Sequence, residues 1–251
     1  MPYGSLQVER FRLALREALL VRGMVSAFFR GMGQLFRDRR EAGRELARLL
    51  VGYATRSDLL ILALPRGGVP VGYEIAQALH APLDVLIVRK LGMPGHEELA
   101  MGAIASGGIR VLHDEVIQVV GLPESVIDEV TADEQKELLR REREYRGDRP
   151  RLSIEDRIVV LVDDGLATGS TMRAALAAVR QRRPAKVIVA VPVAAPDTCA
   201  ELKSEADEVY CARTPAFFFG VGQWYEDFSQ TSDEEVRELL LHALADVNQR
   251  P

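Results

Sequence analysis

The chain has 251 residues, 47% hydrophobic and 27% charged, with 32 basic against 37 acidic side chains and a formal net charge of −5. Those are ordinary values for a globular chain, and the acidic balance excludes a protein whose main business is gripping nucleic acid, which carries a basic surplus. No apolar run reaches the roughly 20 residues of a membrane span, and the length fits one large domain or two small ones.

In chain order, residues 1–32 come first, with Arg10, Arg12, Arg16, Arg22 and Arg30 set among Leu, Val and Phe. This amphipathic, mildly basic pattern reads as an extension, helical or disordered, ahead of a folded domain spanning 33–251. Glu9, Glu17 and the lack of a compact apolar stretch argue against a targeting peptide, and Met24 and Met32 leave a downstream start open. Ala42, Leu46, Leu49 and Leu50 recur at helical spacing, which predicts a helix over 38–51. The continuous apolar run 59–64 predicts a strand buried on both faces, broken by Pro65-Arg66-Gly67-Gly68-Val69-Pro70. A helix over 71–79 and a second buried strand over 83–88 follow, ending in Arg89-Lys90.

Residues 91–101 are polar and rich in Gly and Pro and carry His96, Glu97 and Glu98, so they read as a mobile loop. Weaker strands are expected at 102–105 and 109–112. The span 123–147 predicts a charged helical insertion whose run Arg140-Arg141-Glu142-Arg143-Glu144 forms a solvated face. An apolar strand at 159–162 then meets Asp163-Asp164-Gly165-Leu166-Ala167-Thr168-Gly169-Ser170-Thr171 and a helix over 171–180. A strand at 187–193, a helix at 196–204, a short strand at 208–211, an aromatic loop at 217–228 and a helix at 233–247 complete the chain. Alternating strands and helices without repeats predict one α/β domain: a mostly parallel central sheet flanked by helices, with a small hood. Cys199 and Cys211 have no metal-type spacing and read as buried small hydrophobes in a reducing, cytoplasmic compartment. The four histidines form no ligand cluster.

The chemistry concentrates in 159–171. Two carboxylates stand at the carboxyl end of a strand, where open α/β sheets place ligands. The loop after them offers hydroxyls and N–H groups at a helix N-terminus, which is an anion site. A sugar phosphate would satisfy both halves. The plain alternative is a solvated Asp pair and a helix cap. At 65–68, two glycines allow close backbone approach and Arg66 supplies a forked cation for phosphate oxygens. Arg89 and Lys90, too costly to bury unpaired, either reach solvent or meet an anion. The aromatic loop is either a satellite core or a slot that stacks a planar ring. No Gly-x-x-x-x-Gly-Lys-Ser/Thr string, no Gly-x-Gly-x-x-Gly after a strand and no Gly-x-Ser-x-Gly elbow occurs.

The 159–171 block, with 65–68 and 89–92, resembles the type I phosphoribosyltransferase family over about residues 36–228, most specifically a bacterial branch with Pro-Arg-Gly-Gly and Arg-Lys-Leu-Gly segments. The resemblance implies transfer of ribose 5-phosphate from phosphoribosyl diphosphate to a nitrogenous acceptor, as in nucleotide salvage. Asp163 and Asp164 would hold the ribose hydroxyls, and Ala167, Thr168, Gly169, Ser170 and Thr171 the 5′-phosphate. Arg66, Gly67 and Gly68 would hold pyrophosphate, with Arg89 and Lys90 assisting its departure under a lid formed by 91–101. Phe219, Val221 and Asp227 stand near the family's base-recognition positions. Mg²⁺ is the implied cofactor, held mainly through substrate with few or no direct protein ligands, Asp163 or Asp164 being the candidates; a homodimer is one assembly the family shows. Some relatives of these enzymes only bind the diphosphate and regulate. Gly165-Leu166, where many members carry bulkier β-branched residues, is expected to loosen the loop.

Overall fold

The computed structural model describes residues 35–54 and 56–248. The extension expected over 1–32 lies outside them. Five apolar runs pair in parallel as one sheet in the order β2-β1-β6-β7-β8: β1 (Leu59–Ala63), β2 (Leu83–Val85), β6 (Ile158–Val162), β7 (Lys186–Val193) and β8 (Glu208–Arg213). Side chains alternate across the two faces with period two. Leu59, Ile61, Ala63, Val160, Val162 and Ile188 meet α1 (Arg39–Leu49), α2 (Gly68–Leu79) and α7 (Asp233–Asn248) on one face. Leu60, Leu62, Val159, Leu161, Val187 and Val189 meet α5 (Ser170–Arg180) and α6 (Pro196–Leu202) on the other. Coverage on both faces explains why these strands read as unbroken apolar runs, each fully buried Leu, Ile or Val contributing about 1.5–3 kcal/mol.

The topology fixes where a ligand can sit. From β1 the chain crosses by α2 to β2 on one side, and from β6 it crosses by α5 to β7 on the other. The switch point therefore lies between β1 and β6, where connections leave in opposite directions and a crevice opens at the carboxyl ends. The 65–68 turn and the 163–169 loop both emerge there.

Several expectations are corrected. The run 83–88 is not one strand: β2 ends at Val85, and β3 (Val88–Met93) opens a second, antiparallel sheet with β4 (His96–Ala105) and β5 (Ile109–Leu112). Hydrogen bonds between Ile87 and Ser106 turn the chain out of the first sheet. The expected 91–101 lid loop is the β3–β4 hairpin, in which Met93 pairs with His96 across Pro94-Gly95. Gly95 has φ +80°, and Pro followed by a left-handed Gly is a two-residue turn signal. Helix α2 begins at Gly68, because the 65–68 turn already runs into helical geometry and Pro70, in the first turn, lacks only an N–H that would be unpaired there.

The long helix α4 (Glu124–Arg146), preceded by α3 (Asp114–Val120), packs against β3 and α7. Its charged run is not wholly solvated. Glu142 is buried, accepting two hydrogen bonds from Arg151 at 2.9 and 2.6 Å, while buried Arg146 reaches Asp84 at 2.9 Å. Burial of these groups is tolerated because each charge is paired. Cys199 and Cys211 form a disulfide between α6 and β8, with Cα atoms 6.7 Å apart, and are not independent small hydrophobes. They stand 12 positions apart in sequence, and only the packing of α6 beside β8 brings them together. Among the described residues no helix is long and apolar enough to cross a membrane.

Candidate active site

Asp163 and Asp164 are half-buried at the end of β6, directly after a strand with no exposed residue. The backbone N–H of Asp164 donates to the Asp163 carboxylate at 2.8 Å, which orients it. Burial pushes the Asp163 carboxyl well above the usual carboxylate range, and the Asp164 charge adds to the push. Burial also raises Asp164, opposed by the guanidinium of Arg39, whose Nε donates to Oδ2 at 2.8 Å. The two adjacent acids thus stand in different electrostatic settings.

The 65–68 turn is pressed onto this pair. A Cβ on Gly67 would lie 1.9 Å from Asp164 Oδ2, and one on Gly68 would lie 2.6 Å from the Val162 carbonyl oxygen. Only glycine brings the backbone of β1's loop against β6's acids. The Pro65–Arg66 peptide is cis. Arg66 leans toward α7, 3.7 Å from Asp233.

The loop after the acids is pinned rather than loose, contrary to expectation. Gly165 is buried beneath Val221: a Cβ there would meet Val221 Cγ1 at 2.5 Å. Leu166 is buried and exchanges backbone hydrogen bonds with Val193 and Ala195 at 2.9 and 3.0 Å. Ala167 and Thr168 are then exposed, Gly169 takes φ +70°, and Ser170 and Thr171 open α5. A Cβ at Gly169 would be both left-handed and 2.7 Å from the Thr198 methyl. The hydroxyls of Thr168 and Ser170 lie 3.2 Å apart. The Ser170 N–H makes a long bond of 3.5 Å to the Thr168 hydroxyl, and such a turn, with small polar side chains and the N–H groups of a helix start, is shaped for an anion.

The other expected residues are placed less directly. Arg89 pairs with Glu134 of α4 at 2.6 Å, and Lys90 is exposed; both lie within β3, not at the end of a central strand. The aromatic loop divides. Trp224 and Tyr225 join Phe36 in a small core of their own, while Phe217 and Phe219 are 56% and 79% exposed. Asp227 is exposed and accepts from the Ser229 N–H at 2.9 Å, capping a turn. His96 is exposed on the hairpin, and the side chains of Glu97 and Glu98 lie outside the described ones.

A family model described as the phosphoribosyl transferase domain matches residues 34–226, which include the 65–68 turn, the acid pair and the 165–171 loop. The chain belongs to that family. Two Mycobacterium tuberculosis proteins are each 47% identical over 213 residues: "Putative phosphoribosyl transferase MT0597" of strain CDC 1551 / Oshkosh and "Putative phosphoribosyl transferase Rv0571c" of strain ATCC 25618 / H37Rv. The match covers 85% of this chain and 48% of each relative, so the chain spans about half their length. The crystal structure of TT1426 from Thermus thermophilus matches at TM-score 0.76 and 42% identity, covering 83% of this chain and 99% of that one.

Three residues of this candidate site were not singled out by the sequence, although Tyr225 lies in the aromatic loop 217–228. Arg39, in the first turn of α1, holds Asp164, donates to the Ser229 carbonyl at 2.7 Å and lies 4.0 Å from the Phe228 ring centroid. Tyr225 donates to the Asp164 carbonyl at 2.6 Å, and burial pushes its hydroxyl up, so it stays a neutral donor. Arg173 braces the 167–171 loop, bonding the Thr168 carbonyl at 2.8 Å while paired with Glu201 and Glu205. A separation of 125 residues between Arg39 and Asp164 leaves no local pattern to read.

Two adjacent carboxylates, with no third His, Cys, Asp or Glu grouped beside them among the described residues, do not form a closed metal cage. They fit a hard cation such as Mg²⁺ that keeps waters and takes its remaining oxygens from a substrate phosphate.

Proposed function

We propose that the chain transfers a ribose 5-phosphate group from phosphoribosyl diphosphate to a nitrogenous acceptor, with release of pyrophosphate. One observation carries the reading: at the switch point between β1 and β6, the two-glycine turn is pressed against a carboxylate pair that runs into an anion-shaped helix start. A ribose carrying phosphate at one end and diphosphate at the other would set one anion against each of these two turns.

In this reading the C1–O bond to pyrophosphate breaks as C1 gains oxocarbenium character, and the acceptor nitrogen forms the new bond. The protein's tasks are positioning and electrostatics. Ala167 to Thr171 hold the 5′-phosphate through backbone N–H groups and the Thr168, Ser170 and Thr171 hydroxyls. Asp163 and Asp164 orient the ribose hydroxyls, and the Asp164 charge favours positive character near C1. The N–H of Gly67, with Arg66 swung from Asp233, takes the diphosphate; Gly68, whose own N–H is given to the Leu64 carbonyl at 3.1 Å, contributes close backbone approach, and Lys90 on β3 is the second cation. Arg89 would have to exchange Glu134 for that role. Phe219, Val221 and Asp227 flank the acceptor side. Mg²⁺, if bound, would be held by Asp163 or Asp164 together with substrate oxygens and would offset diphosphate charge.

The test is pyrophosphate release from phosphoribosyl diphosphate and Mg²⁺ with a panel of purine and pyrimidine bases and simple amines. Release that depends on one acceptor class and is lost in Asp164→Asn supports transfer. Calorimetric binding of the diphosphate without release from any acceptor would replace transfer with sensing. Absence of binding would end both readings.

A further inference from the structure

A cleft of about 410 Å³ opens beside the edge strand β2, between the 106–107 turn of the second sheet, the segment 151–155 and the turn after α5. It shares no lining residue with the crevice between β1 and β6. One side is apolar, formed by Leu62, Leu86 and Ile154. The other gathers Arg146, Arg151, Arg182 and Arg183.

The lining offers only Asp84 and Glu155 against those four guanidinium groups, and Glu142 behind Arg146 and Arg151 makes three carboxylates. The cleft therefore keeps one positive charge in excess on a chain whose net charge is −5. Arg146 is the fixed floor: it is 7% exposed and locked by Asp84, Glu142 and the Val85 carbonyl. Arg182 is different. It donates to the Gly107 carbonyl and has no carboxylate partner among the described residues. Gly107 takes φ +94°, and a Cβ there would lie 2.3 Å from Arg182 Nη2, so the turn leaves room for the guanidinium. Arg151 already grips Glu142 through Nε and Nη2, and Arg183 pairs with Glu155, but their side chains are 48% and 81% exposed, which leaves each guanidinium further N–H donors at the rim.

We propose that this cleft is a second ligand site, binding a phosphate monoester of mononucleotide size. The phosphate would take Arg182 and the remaining N–H donors of Arg183 and Arg151 in charge-assisted bonds, and the uncharged part would lie against Leu86 and Ile154. The volume falls within the ordinary range for small-molecule sites.

The test is calorimetric titration of the full chain with AMP, with adenosine as the phosphate-free control. Two AMP-binding events are expected, one weakened at least tenfold by Arg182→Ala/Arg183→Ala and the other by Thr168→Ala/Ser170→Ala. Adenosine should bind the cleft at least tenfold more weakly than AMP. Both arginines are exposed, so the double variant should melt at the wild-type temperature; if it does not, Ser153→Glu, which adds a carboxylate to an exposed lining residue, should give the same tenfold loss. AMP binding that neither Arg182→Ala/Arg183→Ala nor Ser153→Glu weakens, or no binding at all, overturns the proposal. A single event lost only in the arginine variant supports the cleft while counting against the 167–171 loop as a phosphate site, so the two readings fail separately.

Discussion

The strand-end floor of the crevice and the aromatic segment beside it are built by different rules. On the floor, Gly67, Gly68, Gly165 and Gly169 each lie where a Cβ would collide with a neighbour, so backbone position is set by close contact. At the exposed end of the aromatic segment Gly220 has open space around it and Phe219 is 79% exposed, although Val221 anchors the segment on Gly165 and a Cβ on Gly222 would lie 2.8 Å from the Phe228 ring. The floor is a fixed template, and the exposed end of the aromatic segment has room to adapt; under the proposed function, the first would hold the ribose phosphate and the second would face the acceptor.

That contrast can be broken or sharpened by substitution. The largest effect is expected from Gly67→Ala, whose methyl would occupy the place of the Asp164 carboxylate oxygen. Pyrophosphate release should fall by at least about 10³-fold, since misplacement by an ångström already costs about 10²-fold; activity within tenfold of wild type would show that the floor is not tight.

Asp163→Asn should lower release by about 10²–10³-fold, the scale for removing one positioned electrostatic group. In the ligand-free protein it should do the opposite to stability. Burial raises the folded pKa of Asp163 above its unfolded value, so ionisation costs stability as pH climbs from about 4 through the raised value. The Asn variant escapes that cost, and its advantage in melting temperature should be absent at pH 3 and grow toward neutrality. A constant difference across pH would refute the assignment of a buried, raised carboxyl.

Arg39→Lys should cost about tenfold in activity, because an ammonium keeps the charge beside Asp164 but loses the fork that also binds Ser229 and the flat contact with Phe228. Gly165→Ala should destabilise by about 1–3 kcal/mol through its clash with Val221, read as a drop in denaturation midpoint. The smallest effect belongs to Phe219→Ala: an unchanged melting temperature and a several-fold change in acceptor KM with KM for phosphoribosyl diphosphate unmoved. Equal shifts in both KM values would erase the division between floor and aromatic side.

The chain itself determined most of the central sheet and the candidate phosphate loop. Runs such as 59–64 and 187–193 are apolar on both faces, and the 163–171 block carries strand end, acids, left-handed glycine and helix start within one local stretch. These are legible because their physics is local: burial pattern, turn chemistry and helix capping act over a few residues. The tertiary structure alone decided the departure of the chain from the central sheet at 86–87, the pairing of Arg39 with Asp164, the burial of Glu142 and the Cys199–Cys211 bridge. Each depends on which distant segment lies alongside. Periodicity reports that a side chain will be buried, but the partner that neutralises a charge or meets a thiol is chosen by packing across the fold.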